Sequence, residues 1–304
     1  MLVLRGSVRA ETSSHSGKEE KLLSRFEKVL LQGGFTPQAV RLFRKIIYNR
    51  YLGNPRSLPW RESRDPYRIL VSEIMLQQTQ AERVIGKYET FLMRFPDFPS
   101  LAGGSLREIL RAWQGLGYNR RAIALQGIAR MVMSQFQGRL PCAEEDLIKL
   151  PGVGKYTASA VSVFAFGQSA LFVETNIRRV YIHFFFRDRD NVRDAEIIPL
   201  IEKTIDASNP REWYYALMDY GVMLKKMVLN PNRRSAHYQR PAPFKGSDRE
   251  LRGRILKSLI AKPAITEREI IREFGETPER VRAIVSQLRA EGFLKRRGTK
   301  VALQ

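Results

Sequence analysis

The chain has 304 residues, of which 43% are apolar and 27% are charged, a composition typical of a globular protein with two or more domains. Its 52 Lys and Arg residues against 31 Asp and Glu residues give a net charge of +21, which favours a nucleic acid as partner over a membrane surface. A solvated basic surface is the alternative. The single cysteine, Cys142, excludes an intrachain disulfide and any cysteine-ligated zinc or iron–sulfur site, and it favours a reducing, cytoplasmic compartment.

The amino-terminal half is predicted to be helical almost throughout. Residues 1–20 contain only a very short apolar run, which indicates neither a signal peptide nor a membrane span, and they are predicted to form a disordered tail. Helices are predicted over residues 21–31, 37–50, 67–80, 81–95, 106–113 and 120–136. Asp65 followed by Pro66 is a favoured helix start, and Gly115 and Gly117 predict a turn.

The stretch from Leu150 to Val180 combines two features. Gly152 and Gly154 predict a tight turn before a helix over residues 156–166. The free amides at that helix start favour an anion such as a DNA phosphate. Further on, the carboxylate of Glu174 precedes an asparagine and two arginines. Helices are then predicted over residues 176–186, 195–207 and 213–227.

The carboxy-terminal part divides into a linker and a small domain. Residues 229–246 are predicted to be a basic, extended linker, either a tether for the DNA backbone or simply solvated. Residues 247–304 read as three helices followed by a basic hairpin with its tip at Gly298, the pattern of a winged helix. A helical protein-interaction module is the alternative.

One predicted helix places a carboxylate on its apolar face. Ile69, Leu70, Glu73 and Gln77 recur at spacings of three and four, so they share a face that we expect to turn inward. Burial would raise the pKa of Glu73 and let it act as a general acid near neutral pH. A surface glutamate on an amphipathic helix is the alternative.

Five motifs occur in order along the chain. They are SEIMLQQTQ at residues 72–80, GLGYNRRA at 115–122, LPGVGKYTASAV at 150–161, VETNIRRV at 173–180 and ALMDYG at 216–221. The set resembles the helix-hairpin-helix base-excision DNA glycosylases over about residues 40–228, and within them the adenine glycosylases that act on adenine opposite 8-oxoguanine. This resemblance implies a mainly α fold, with two helical subdomains over residues 21–228 and the winged-helix-like domain after them.

The resemblance also implies roles for individual residues. Glu73 would be the acid that protonates the departing adenine, with Glu174, Tyr156 and Asn176 completing the catalytic set. Because lyase relatives carry a lysine where this chain has Tyr156, a monofunctional hydrolase is expected. The residues implied in DNA binding are Gln77, Gln78, Tyr118, Arg120, Leu150, Gly152, Val153, Gly154, Lys155 and Arg178.

Three departures from the family pattern stand out. Glu174 aligns with the family's aspartate and is one methylene longer. The four-cysteine iron–sulfur loop is absent, so no cluster and no other cofactor is expected. The domain with which adenine glycosylases recognise 8-oxoguanine is not recognisable.

Two other functions remain open. One is a glycosylase of the same fold that removes thymine or uracil paired with guanine. The other, of a different class, is a non-catalytic DNA-binding protein that reuses the fold. The expected partner is double-stranded DNA with a mismatched or damaged base, bound by a monomer at the nucleoid.

Overall fold

The computed structural model describes residues 7–239 and 243–304, which form 16 α-helices and three short strands. The helices are α1 (Ser7–Gly33), α2 (Pro37–Gly53), α3 (Pro59–Glu62), α4 (Pro66–Leu76), α5 (Ala81–Arg94), α6 (Phe98–Gly103), α7 (Leu106–Trp113), α8 (Arg120–Gln135), α9 (Glu144–Leu147), α10 (Lys155–Phe166), α11 (Thr175–Phe185), α12 (Asp194–Thr204), α13 (Pro210–Met227), α14 (Asp248–Ala261), α15 (Glu267–Phe274) and α16 (Pro278–Ala290). The strands are β1 (Ile265–Thr266), β2 (Leu294–Arg297) and β3 (Lys300–Leu303). None of the described helices is both long enough and apolar enough to cross a membrane.

Local sequence signals explain how the helix that carries Glu73 begins and ends. The side chain of Asp65 accepts a hydrogen bond from the Tyr67 amide at 2.9 Å, and Pro66 takes the first helical position. The helix was expected to run to residue 80, but α4 ends at Leu76. Gln78 has a φ of 53°, a left-handed conformation that an α-helix cannot continue. Gln77 and Gln78 therefore lie in a turn.

The amino-terminal region differs from the predicted disordered tail. Helix α1 begins at Ser7, so most of the stretch over residues 1–20 is helical, and only residues 1–6 lie outside the described part. The stretch contains no proline and has several Ala, Glu, Lys and Arg residues, all good helix formers. Its polarity, which suggested a tail, is equally compatible with a solvated helix.

The predicted linker over residues 229–246 also contains ordered structure. Pro231–Arg234 form a 3-10 helix, and both Asn232 and Ser235 are buried. Backbone hydrogen bonds of 2.9 Å join Val192 to Arg234 and Ala236 to Val192, which pins the segment by a parallel bridge. Residues 240–242 of the linker lie outside the described part.

The chain divides into two compact units. The first unit comprises the described parts of Met1–Ser57 and Gly167–Gln239. Its core is aromatic: the ring of Phe43 lies 5.1 Å from that of Phe184 and 5.9 Å from that of Trp213, both with near-perpendicular edge contacts. Within this unit α11 packs against α13, which fixes the helix that follows Glu174.

The second unit comprises the described parts of Leu58–Phe166 and Arg240–Gln304. Its helical core contains Phe91 and Trp113, both fully buried, with their rings 5.9 Å apart. Helix α4 packs against α10, and α6 packs against α8. This unit therefore holds Glu73 and the glycine turn before α10 in one packed body.

Residues 247–304 fold as part of the second unit. The strand order is β1-β3-β2, with both pairings antiparallel, and the elements follow one another as helix, strand, helix, helix and hairpin. Arg107 on α7 donates to the carbonyl oxygens of Leu259 at 2.6 Å and Ile260 at 2.7 Å, at the end of α14. A cation at this position complements the negative end of the helix dipole, and the contact holds the end of α14 against α7.

Candidate active site and DNA-binding surface

Glu73 lies inside the second unit. It is only 7% exposed, and Ile69 and Leu70 on the same face of α4 are fully or almost fully buried. The predicted inward orientation of this face is therefore confirmed, and the surface-glutamate alternative is wrong. Helix α10, which packs against α4, carries the half-buried Tyr156 in its first turn. A buried carboxyl group on one helix thus accompanies a phenol at the start of the helix packed against it.

The two glutamines after α4 have different environments. Gln77 Nε2 donates to the Gly152 carbonyl oxygen at 3.3 Å and to Thr157 Oγ1 at 3.1 Å. Gln77 is therefore tied to the glycine turn. Gln78 is exposed and has a positive φ, which directs it away from the helix path. Of the two, Gln78 is the side chain free to reach a neighbouring molecule.

The glycine turn leads directly into α10. Gly152 has a φ of 72°, and a Cβ there would lie 2.9 Å from the Cβ of Ala124, so both conformation and space require glycine. The first helical hydrogen bond runs from the Ala158 amide to the Gly154 carbonyl. The exposed Lys155 is the first residue of α10, and a helix start of this kind suits an anion such as a phosphate.

The other two residues predicted to bind DNA at this turn have buried side chains. Leu150 is 2% exposed and Val153 is 5% exposed. The Val153 amide donates to the Leu150 carbonyl at 3.1 Å. Both side chains pack in the core of the second unit, so only their backbone is available to a ligand.

The Gly115–Tyr118 loop presents an aromatic side chain. Gly115, Gly117 and Tyr118 have φ values of 92°, 71° and 44°, and Tyr118 remains 45% exposed. The Tyr118 hydroxyl accepts a hydrogen bond from Arg249 Nη1 of the carboxy-terminal part at 3.2 Å. A left-handed conformation at a bulky residue is strained, so the surrounding contacts must maintain it.

Arg121 connects this loop to the turn after α4, a role that sequence reasoning missed. Its Nη1 donates to the carbonyl oxygens of Ile74, Met75 and Gln77 at 2.9, 2.8 and 2.6 Å. Its Nη2 donates to Thr79 Oγ1 and to the carbonyl oxygens of Leu116 and Gly117, at 3.0 to 3.3 Å. Burial lowers the pKa of this guanidinium to about 10. The GLGYNRRA motif contains Arg121, but nothing in the sequence distinguishes it from Arg120.

Arg120 itself makes an ion pair. Its Nη2 lies 2.5 Å from Glu291 Oε1, and Arg252 binds the same carboxylate. Hydrogen bonds from Arg120 and Arg252 hold the pKa of Glu291 far below its usual range, at about 2. The charge of Arg120 is therefore partly neutralised within the protein.

In the first unit, Glu174 caps the start of α11. Its Oε1 accepts hydrogen bonds from the amides of Asn176 at 2.6 Å and Ile177 at 2.9 Å, and its Oε2 accepts from Asn176 Nδ2 at 3.2 Å. Burial raises the pKa of Glu174, although the amide hydrogen bonds and the nearby arginines favour its ionised form. The extra methylene relative to aspartate thus still permits the N-cap geometry.

A buried arginine supports this carboxylate from behind. Arg179 Nη1 donates to Asn176 Oδ1 at 2.6 Å and to the Gly221 carbonyl at 2.7 Å, and its Nε donates to Asn230 Oδ1 at 3.0 Å. Asn230 belongs to the segment predicted as a linker. Arg178, the residue predicted to bind DNA, instead forms a bidentate pair with Asp194 at 2.6 and 2.7 Å. Of the two arginines, Arg179 is therefore the one that holds the side chain of Asn176.

The described residues contain no cluster of three or more His, Cys, Asp or Glu side chains arranged to hold a metal ion. What the described residues offer is acid–base and electrostatic chemistry. The second unit has a buried carboxyl group, a phenol and a helix start that suits a phosphate. The first unit has a hydrogen-bonded carboxylate suited to stabilising a cation.

Comparisons with known proteins agree with this chemistry. Residues 71–200 match the model of the HhH-GPD superfamily base excision DNA repair proteins. The chain is 35% identical over 262 residues to the adenine DNA glycosylase of Mycobacterium tuberculosis (strain ATCC 25618 / H37Rv), covering 78% of this chain and 86% of that one. It is 37% identical over 173 residues to that of Buchnera aphidicola subsp. Baizongia pistaciae, but this match covers 56% of the chain and only 48% of that relative.

The thymine-directed branch of the superfamily also matches. The thymine/uracil-DNA glycosylase of Methanothermobacter thermautotrophicus is 32% identical over 187 residues, which covers 60% of this chain and 85% of that one. A solved structure of a thermostable thymine-DNA glycosylase matches with a TM-score of 0.54 and 30% identity, covering 60% of this chain and 86% of the other. The chain belongs to the HhH-GPD superfamily of base excision DNA repair proteins.

Proposed function

We propose that this protein is a monofunctional DNA glycosylase that hydrolytically removes adenine mispaired with 8-oxoguanine or guanine. The observation that carries the proposal is the burial of Glu73, 7% exposed on the inner face of α4. A carboxyl group shielded from water in this way can act as a general acid toward a leaving base. The extensive similarity to adenine DNA glycosylases supports adenine as that base.

The reaction begins with binding to the DNA backbone. The glycine turn and the exposed start of α10 hold a phosphate of the DNA backbone, which fixes the register of the protein without reading sequence. Gln78 and Tyr118, both exposed at the tips of positive-φ turns, enter the stack and replace the extruded nucleotide. Extrusion costs on the order of a few kcal/mol and costs least at a mismatch.

Two carboxylates then divide the chemistry. Glu73 donates its proton to the adenine, and the glycosidic electron pair leaves with the base, so the sugar becomes an oxocarbenium-like cation. Glu174, whose carboxylate is held by the amides of Asn176 and Ile177, stabilises that cation, and the resemblance to the family implies a similar role for Tyr156. Water adds to the sugar carbon and releases a proton, which leaves an abasic site.

The test measures base release under single-turnover conditions from duplexes with adenine opposite 8-oxoguanine, adenine opposite guanine, and thymine opposite guanine. We expect the wild-type protein to release adenine, and Glu73→Gln to be slower by about 10²–10⁴-fold with DNA binding retained. Glu89→Gln, which changes an exposed glutamate on α5, serves as the matched control and should keep full activity.

Each alternative gives a different outcome. A Glu73→Gln variant with near wild-type rates would disprove the acid assignment. Release of thymine without adenine would identify a thymine-directed enzyme like the archaeal relative. Tight binding to one DNA sequence, without an abasic product from any mismatch, would identify a non-catalytic DNA-binding protein.

The protein acts as a monomer on mismatched or damaged duplex DNA at the nucleoid. It needs no iron–sulfur cluster, because one cysteine cannot hold one, and no metal ion enters the proposed chemistry. Base release is therefore expected to be unchanged by a strong metal chelator, and sedimentation should give the mass of one chain.

A further inference from the structure

The basic residues in the carboxy-terminal part include two groups that differ in their surroundings. One group is held in ion pairs: Arg252 with Glu291, Lys262 with Glu273, and Arg280 with Asp248 and Glu276. The other group lies at the end of α16 and along the hairpin, where the described residues supply no carboxylate within 4 Å. Its members are Arg289, Lys295, Arg296, Arg297 and Lys300.

Three members of the second group line one groove. The groove lies between the last turns of α16 and strand β2, has a volume of about 470 Å³, and is lined by Ser286, Arg289, Ala290, Leu294, Lys295 and Arg296. Its polar side chains are one hydroxyl and three cations, so it offers hydrogen-bond donors and positive charge with no acidic side chain in its lining. Like charges gathered in one groove repel one another, and a bound anion removes that cost.

Contacts within the second unit connect this groove to the Gly115–Tyr118 loop. Glu291 directly follows α16 and pairs with Arg120, the first residue of α8. At the start of α14, Arg249 donates to the Tyr118 hydroxyl. The groove and the loop therefore belong to one packed surface, and a polyanion bound at the loop can continue onto the groove.

We propose that this groove binds backbone phosphates of duplex DNA beyond the nucleotide that is excised. The proposal rests on DNA as the protein's substrate, as given above, and it extends the binding surface to the carboxy-terminal part. Duplex DNA fits because its phosphates recur along the backbone, so one strand can contact both the groove and the cations of the hairpin. A free phosphate-containing small molecule would share the same chemistry and is separated by the experiment.

The experiment compares two triple variants that remove the same charge. Arg289→Ala/Lys295→Ala/Arg296→Ala empties the groove of cations. Lys257→Ala/Arg268→Ala/Arg272→Ala removes three exposed cations elsewhere in the same part of the chain and is the matched control. Affinity is measured between 50 and 200 mM salt on fully paired duplexes of about 30 and about 12 base pairs. Because no base is released from these duplexes, the test is independent of the proposed catalysis.

We expect the groove variant to lose about tenfold or more in affinity for the long duplex at the lower salt. The slope of log affinity against log salt should fall by about 2–3, since each phosphate contact contributes about 0.9. The control triple should change affinity by less than about threefold. The short duplex should discriminate much less between the variants, because it has fewer phosphates with which to contact the loop and the groove at once. Adenine release at saturating DNA should stay unchanged in the control triple.

Four results would overturn the proposal. Equal losses in both triples would mean that only net charge matters. Equal losses on both duplex lengths would place the effect at the excision site. Competition by inorganic phosphate at constant ionic strength, without any dependence on duplex length, would identify a small-anion site instead. If the triple variant does not fold, Arg296→Gln at its exposed strand position replaces it, and an unchanged salt slope there would refute the groove contact.

Discussion

Replacing Arg121 gives a sharp test of how the second unit holds its two exposed turns. Its Nη1 binds three carbonyl oxygens at the end of α4, and its Nη2 binds Thr79 and two carbonyl oxygens of the Gly115–Tyr118 loop. The Arg121→Lys variant keeps the charge, and its three N–H donors can satisfy the α4 carbonyls but cannot also reach the loop. The Arg121→Met variant removes the hydrogen bonds to the α4 carbonyls and those to the loop.

The expected losses in the free energy of unfolding follow from these hydrogen bonds. An unsatisfied buried acceptor costs about 1–3 kcal/mol, so Arg121→Lys should lower the free energy of unfolding by about that amount. Arg121→Met leaves the α4 carbonyls and the loop without this donor and should cost about 3–5 kcal/mol, at the upper end of single substitutions. Arg130→Met, at an exposed position on the same helix, should stay within about 0.5 kcal/mol.

Urea denaturation measures the free energy of unfolding of each variant, and single-turnover base release measures its activity. We expect the lysine variant to remain folded but to lose activity, because the loop that presents Tyr118 is no longer tied to the turn that presents Gln78. A cost below about 1 kcal/mol for Arg121→Met would refute the view that this guanidinium organises the two turns. Full activity in a folded lysine variant would refute its role in positioning them.

Two further predictions concern the first unit. Burial raises the pKa of Glu174 above its ordinary value of 4.5, and the proposed reaction needs the ionised carboxylate. Base release should therefore slow as the pH falls, already at pH values above 4.5, and Glu174→Gln should remove this acidic limb of the pH–rate profile. A Cβ on Gly221 would lie 2.3 Å from the carbonyl oxygen of Asn176, so Gly221→Ala should displace the start of α11, destabilise the protein by about 1–3 kcal/mol and slow base release. Thermal unfolding compares this variant with Gly86→Ala, where an added Cβ has no neighbour within 4 Å, and equal stability of the two variants would contradict the prediction.

Local signals in the sequence predicted the helices well. Asp65 with Pro66 marks a helix start that the structure confirms, because an N-cap and a proline at the first turn act within a few residues. The inward face of α4 followed from spacing alone, since three- and four-residue repeats fix which side chains share a side. The early end of α4 was missed, because a single left-handed residue, Gln78, leaves no periodic trace.

Partners distant in sequence could not be predicted. Arg178 stood beside Glu174 in a basic motif, yet its charge is paired with Asp194. Arg120, at the start of α8, is paired with Glu291, which follows α16 and lies 171 residues further along the chain. Composition shows that positive charge is in excess, but which cations are neutralised depends on packing. For this reason the sequence predicted the burial of Glu73 but not the ion pairs of Arg120 and Arg178.

The order in which the two units alternate along the chain bears on how the protein is made. The first unit is interrupted after Ser57 and resumes at Gly167, and the second is interrupted after Phe166 and resumes at Arg240. During synthesis, helices α1 and α2 must therefore wait for α11 and α13 before their aromatic core can close. The helices between Leu58 and Phe166 emerge as one uninterrupted stretch with much of their own core, so they are the part of the nascent chain able to fold first.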